Sequence, residues 1–248
     1  MRCLSCDRIK RRCLCLYRPA AKVNAPVKVT LIQTFKERDH PKNSGALLRL
    51  GLRELNTLMI NLPSHHAPSD EQRERFFRDL EFLYPHNDKQ CQDHSENLIT
   101  RSESRVTTPL LLYPPQNLSS KTARSPLNLK GVQELVILDM TWGRSERLLK
   151  TAPKVAALPR LSLEPREIEI YRELSCRHSQ AEFRFSTLRS GKRRSEQIST
   201  LEATLFALIK TEYEKFQGSL VDLMSKYAPL WESYKHWLDD QLIQRSTR

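Results

Sequence analysis

With 248 residues, 41 Lys and Arg against 29 Asp and Glu, and 39% hydrophobic side chains, the chain can build one large domain with a small appendage, or two modest ones. A formal net charge of +12 favours an acidic partner, nucleic acid before membrane, because no apolar run approaches the roughly 20 residues of a spanning helix. The first twelve residues are charged and cysteine-bearing, with no apolar stretch of the kind an export signal has, so a cytoplasmic location is expected.

The cysteines come first along the chain. Cys3, Cys6, Cys13 and Cys15 form the pattern C-x2-C-x6-C-x-C, whereas Cys91 and Cys176 stand far off. Four thiolates held so closely can close a tetrahedral Zn2+ shell and replace the apolar core that a short segment lacks. Free or redox-active thiols are the alternative, since C-x-C is the less usual half of a zinc pair. Arg8, Lys10, Arg11 and Arg12 lie between the cysteines, either as a phosphate-contacting surface or as a solvated basic loop. Residues 1–18 thus read as a zinc-binding unit, residues 19–26 as a linker, and residues 27–248 as an α/β domain.

Residues 27–35 carry the alternation and β-branched content of a strand. The polar turn after it contains His40, Pro41, Lys42, Asn43, Ser44 and Gly45, and it leads into a leucine-rich helix predicted over 46–55. Asn43 and Ser44 can accept from the first helical amides, while Gly45 lets backbone approach a ligand. A strand is expected at 58–62, a helix at 70–83, a polar insertion around 86–108 and a short buried strand at 110–113, ended by Pro114.

Next comes the apolar run Leu135-Val136-Ile137-Leu138, followed by Asp139-Met140-Thr141-Trp142 and a basic amphipathic helix over 142–150 with Arg144 and Arg147. In an open α/β sheet, ligands gather beyond the carboxyl ends of the strands, so a carboxylate, a hydroxyl and an indole at this edge suggest a site. An ordinary capped helix with Trp142 packed inward is the plainer alternative. A strand is expected at 158–163 as an addition to the sheet, and Ser199-Thr200-Leu201-Glu202 is a capping box opening a long helix whose apolar period runs through Leu223. A final amphipathic helix is expected over 231–242. The cationic stretch 189–194 is a third basic cluster.

Taken in order, the four cysteines, His-Pro-x-Asn-Ser-Gly, Leu-Leu-Tyr-Pro, Asp-x-Thr-Trp, Tyr171-Arg172 and Ser-Thr-Leu-Glu-Ala resemble the DTW-domain family. No single motif is highly specific, but their ordered co-occurrence is. Met140 and Ser145 depart from the small residues common in that family at these positions.

The resemblance implies a tRNA-uridine aminocarboxypropyltransferase related to the SPOUT class. The fold it implies is a SPOUT-like, mainly parallel sheet flanked by helices, in a class where the chain can be knotted. The reaction is transfer of the 3-amino-3-carboxypropyl group of S-adenosylmethionine to N3 of a tRNA uridine, giving acp3U and methylthioadenosine. Asp139 is then the catalytic candidate, as general base or as orienter of the uracil. His40, Asn43, Ser44, Gly45, Tyr113, Pro114, Thr141, Trp142, Ser199 and Thr200 are the candidate cofactor contacts, and Trp142 is open to adenine, the base or the core. Arg8, Lys10, Arg11, Arg12, Arg144, Arg147 and Arg172 are the candidate tRNA contacts. Two rivals stand beside this reading: a SPOUT-type RNA methyltransferase, and a non-enzymatic zinc-containing RNA-binding protein.

Overall fold

The structure is a computed structural model that describes residues 1–62, 109–113, 129–179, 198–216 and 218–246. The segments expected at 70–83, 86–108 and 189–194, with Cys91 and Pro114, lie outside the described residues.

Five described strands form one parallel sheet: β1 (Lys28–Thr34), β2 (Leu55–Ile60), β3 (Leu110–Leu112), β4 (Glu134–Asp139) and β5 (Arg160–Leu161), in the order β2-β1-β4-β3-β5. The described helices are α1 (Phe35–Arg38), α2 (Gly45–Gly51), α3 (Trp142–Thr151), α4 (Pro153–Ala156), α5 (Pro165–Ser179), α6 (Thr200–Tyr213), α7 (Leu220–Lys226) and α8 (Ala228–Ser246). None of them is long and apolar enough to cross a membrane.

The unbroken apolar run of β4 follows from burial on both faces, as parallel sheets require. Leu135 and Ile137 join the larger core with Val29 and Leu31 of β1, while Val136 joins Ile32 on the opposite face. Leu148, Leu149, Ala152 and Val155 of the α3–α4 stretch cover that smaller face. The larger face lies under α2, α6, α7 and α8, with Phe206, Trp231, Tyr234 and Trp237 buried among them.

Three expectations about elements change. The helix predicted over 46–55 ends at Gly51, and Leu55 is already paired with Val29 as the first residue of β2. Leu230 of α8 lies against Gly51, where an added Cβ would meet its Cδ2 at 2.2 Å, so the chain turns under a packed neighbour. The long helix expected from Ser199 through Leu223 is two helices. Ser219 starts the second by accepting from the Asp222 amide at 3.2 Å in its own capping box, a local signal that outweighs the continuing apolar period. Helix α5, carrying Tyr171 and Arg172, is an addition to the sequence-based elements.

The cysteine unit is docked rather than tethered. Cys6, Leu14 and Tyr17 belong to the main core, and the Tyr17 hydroxyl donates to Asp240 of α8 at 2.8 Å. Residues 19–26 are equally engaged. Val23 and Ala25 are buried, and Val23 bridges to Leu52 at the corner between α2 and β2.

Candidate functional site

The C-terminal ends of β1 and β4 lie side by side, with Gln33 in register with Asp139. Asp139 is 4% exposed, and three donors reach its carboxylate. Oδ2 accepts from the Gln33 amide and, at 2.8 Å, from Asn43 Nδ2. Oδ1 accepts from the Thr200 hydroxyl at 2.7 Å. Residues far apart in sequence therefore meet on one carboxylate, and a buried carboxylate needs such partners to remain in place.

Gly45 makes this closure sterically feasible. A Cβ there would fall 2.4 Å from Asp139 Oδ2 and 2.9 Å from its Cγ, well inside contact distance. The glycine is thus required by the protein's own carboxylate, where the sequence suggested approach to a ligand. Asn43 Oδ1 accepts from the Ala46 amide at 3.0 Å, as a helix cap does. Ser44 behaves otherwise than expected: its hydroxyl accepts from the Leu201 amide at 3.2 Å, pinning the start of α6 to the loop. Ser199 caps α6 in a reciprocal box with Glu202, as the spacing predicts.

Glu202 is buried, and its pKa is raised chiefly by desolvation, against the lowering effects of the Ser199 amide and Arg172. Its Oε1 faces Arg172 Nε at 3.7 Å. Arg172, a candidate RNA contact by sequence, therefore has a structural partner.

Beside this closed centre is an open face. Thr141 and Trp142 are exposed, and Trp142 retains 55% of its surface, which corrects the alternative that packs its indole inward. Tyr113, just beyond β3, meets Trp142 edge-on with ring centroids 5.6 Å apart, and the Arg160 guanidinium lies 5.4 Å over the Tyr113 ring. Thr141 stands at the N-cap position of α3 without a side-chain cap bond. His40 is exposed, and its Nδ1 accepts from the Lys42 amide at 3.3 Å.

The four cysteines converge. Their Sγ atoms lie within 4.8 Å of one another, with Cys3 to Cys15 at 3.4 Å and Cys6 to Cys13 at 3.7 Å. Four thiolates bound to zinc at about 2.3 Å stand roughly 3.8 Å apart, so this cluster fits that ion. The amides of Cys6 and Ser5 pull the Cys3 thiol down to about 6, whereas burial, followed by its neighbour Cys3, pushes Cys15 up to about 12. Cys3 thus forms a thiolate readily while Cys15 resists, and a bound cation would favour the thiolate form of its ligands. Asp7, with φ 53°, makes the left-handed turn of the first pair.

The basic residues divide into inward and outward sets. Arg8 is buried at 0% exposure, and its Nη2 donates to the His40 carbonyl at 2.7 Å, so the expected surface contact is corrected to a strut under the site loop. Arg12 likewise donates to the Asp39 carbonyl, and Arg2 grips the Asp39 carboxylate at 2.7 Å. Arg144 pairs with Glu37 at 2.6 Å, and Arg147 is half-buried. Lys10 and Arg11 remain exposed.

Gln33 and Arg49 escaped the sequence reading. Arg49 Nη2 donates to Gln33 Oε1 at 3.2 Å, and its Nη1 lies 3.8 Å from Asp7, so one guanidinium joins the carboxylate centre to the cysteine unit. The available signal was polarity out of place: a glutamine in an apolar strand, and an arginine among leucines.

A family model described as the DTW domain matches residues 1–242. No curated protein and no solved structure matches the chain.

Proposed function

This chain belongs to the DTW-domain family, a family of tRNA-modifying enzymes, and from that premise we propose that it is a tRNA-uridine aminocarboxypropyltransferase using S-adenosylmethionine. The observation that carries the reading is the meeting of Asn43, Asp139 and Thr200, one from each of three motifs of the resemblance, on a single carboxylate. A binding module has no need for such a centre at strand ends beside an open aromatic face.

S-adenosylmethionine supplies a sulfonium: uridine N3 bonds to the neighbouring methionine-chain carbon as that carbon's bond to sulfur breaks, methylthioadenosine leaves with the electron pair, and the N3 proton passes to solvent. The protein must offer that carbon, rather than the methyl group, to the nucleophile, so positioning carries much of the task. Asp139 is suited to this as an organiser. Its carboxylate already receives Gln33, Asn43 and Thr200, and taking up the N3 proton would compete with those partners. Thr141 and the Tyr113–Trp142 pair offer a hydroxyl and ring surfaces on the exposed side, suited to holding adenine or the uracil. Cys3, Cys6, Cys13 and Cys15 would hold zinc in a structural role, since all four positions are filled by protein ligands.

The test is incubation of purified protein with unmodified tRNA and S-adenosylmethionine, followed by mass spectrometry of nucleosides and small-molecule products. An aminocarboxypropyl adduct on uridine with methylthioadenosine is the expected result. A methylated nucleoside with adenosylhomocysteine would instead identify a methyltransferase.

A further inference from the structure

Between the cysteine unit, the site loop and α8 lies a cleft of about 600 Å³. Arg8, Arg11 and Arg12 enter its lining from the cysteine unit and Lys42 from the loop, while Trp237 and Gln241 enter from α8. Four lining side chains are cationic and none is acidic, so the lining favours an anion.

Two buried groups sharpen the point. Arg8 is fully buried, yet its Nε and Nη1 have no hydrogen-bond partner among the described residues. The indole Nε1 of Trp237, 1% exposed, has none either. A buried donor without an acceptor costs about 1–3 kcal/mol, and natural structures rarely retain several in one place. Both residues line the same cleft.

We propose that this cleft binds a backbone phosphate of the RNA acceptor, at a nucleotide beside the one that enters the Asp139 centre. The assignment rests on the proposed RNA-modifying function. Lys42 immediately precedes Asn43, so one turn presents a cation to the cleft and an amide to Asp139. Arg8 braces that turn through the His40 carbonyl. The volume suits a nucleotide segment better than a lone inorganic ion. Phosphate contacts here would set the register of the RNA strand.

The test is binding of the full chain to unmodified tRNA across a salt series, comparing wild type with the double variant Arg11→Glu, Lys42→Glu. Arg53→Glu, Arg166→Glu is the control, with the same charge change at exposed positions outside the cleft. Removing two phosphate contacts should lower the slope of log affinity against log salt by about 1.4–1.8 and weaken binding at least about tenfold at low salt. The control should change far less, and S-adenosylmethionine affinity and metal content should stay at wild-type values. Millimolar inorganic pyrophosphate should leave tRNA bound; efficient displacement would assign the cleft to a free phosphate ligand and overturn the proposal. Equal effects in both variants, or lost S-adenosylmethionine binding with tRNA binding intact, would also overturn it. If the cleft variant behaves as expected but no aminocarboxypropyl product forms, the enzymatic reading fails while the RNA cleft stands.

Discussion

The carboxylate centre and the cysteine unit are both polar clusters, and Arg49 connects them, yet they are closed in different ways. Around Asp139 the protein supplies the partners itself: Gln33, Asn43 and Thr200 donate, and Gly45 leaves the room. Around Cys3, Cys6, Cys13 and Cys15 the chain brings four sulfurs within 4.8 Å of one another. The first cluster is satisfied by the chain's own donors, whereas the second has the donor set and spacing to hold a metal ion.

The largest effect should come from removing the ion that the second cluster can hold. In Cys6→Ser, Cys13→Ser, or in wild type under a strong zinc chelator, metal content measured by mass spectrometry should fall from one ion per chain to none. The melting temperature should drop by about 10 °C or more, because the unit is part of the main core. An unchanged melting curve in both experiments would erase the contrast between the clusters.

Gly45→Ala attacks the self-sufficient cluster at its tightest point. Its Cβ would meet the Asp139 carboxylate at 2.4 Å, so the variant should lose about 1–3 kcal/mol by denaturant titration and most of its kcat/KM. Thr200→Val removes one donor and should cost about 1–2 kcal/mol. Wild-type cofactor affinity in that variant would separate Thr200 from the site.

Glu202 provides a subtler contrast, because burial raises its pKa in the folded state above the ordinary 4.5. Its contribution to stability is therefore full below that ordinary value and declines as pH rises through the raised one. Glu202→Gln lacks this decline, so its melting temperature relative to wild type should move upward as pH rises above 4.5. A relative melting temperature constant with pH would contradict the assignment. The smallest stability change is expected for Trp142→Ala. The indole is 55% exposed, so the cost should stay within about 0.5 kcal/mol while KM for cofactor or tRNA rises.

Much of this was legible along the chain because the carriers are local. The run Leu135 to Leu138, the Ser199–Glu202 box and the cysteine spacing each declare their structure within a few residues. What escaped depends on partners distant in sequence. Gln33 reads as one more strand residue until β4 is laid beside β1 in register. Arg8 reads as a surface cation until the Asp39–His40 turn folds over it, and Ser44 reads as a cap until Leu201 arrives from α6. Charge in a sequence says that a cation exists; only packing says which way it faces.

The most direct measurement of Asp139 as organiser is titration of S-adenosylmethionine into Asp139→Asn, paired with the pH dependence of the remaining turnover. An amide in place of the carboxylate sets N–H donors against Gln33, Asn43 or Thr200, so the expected result is cofactor affinity weakened by about tenfold or more, with residual activity following the wild-type pH profile. Unchanged cofactor affinity, with turnover lost at neutral pH and regained as pH rises, would contradict that role and make Asp139 the base.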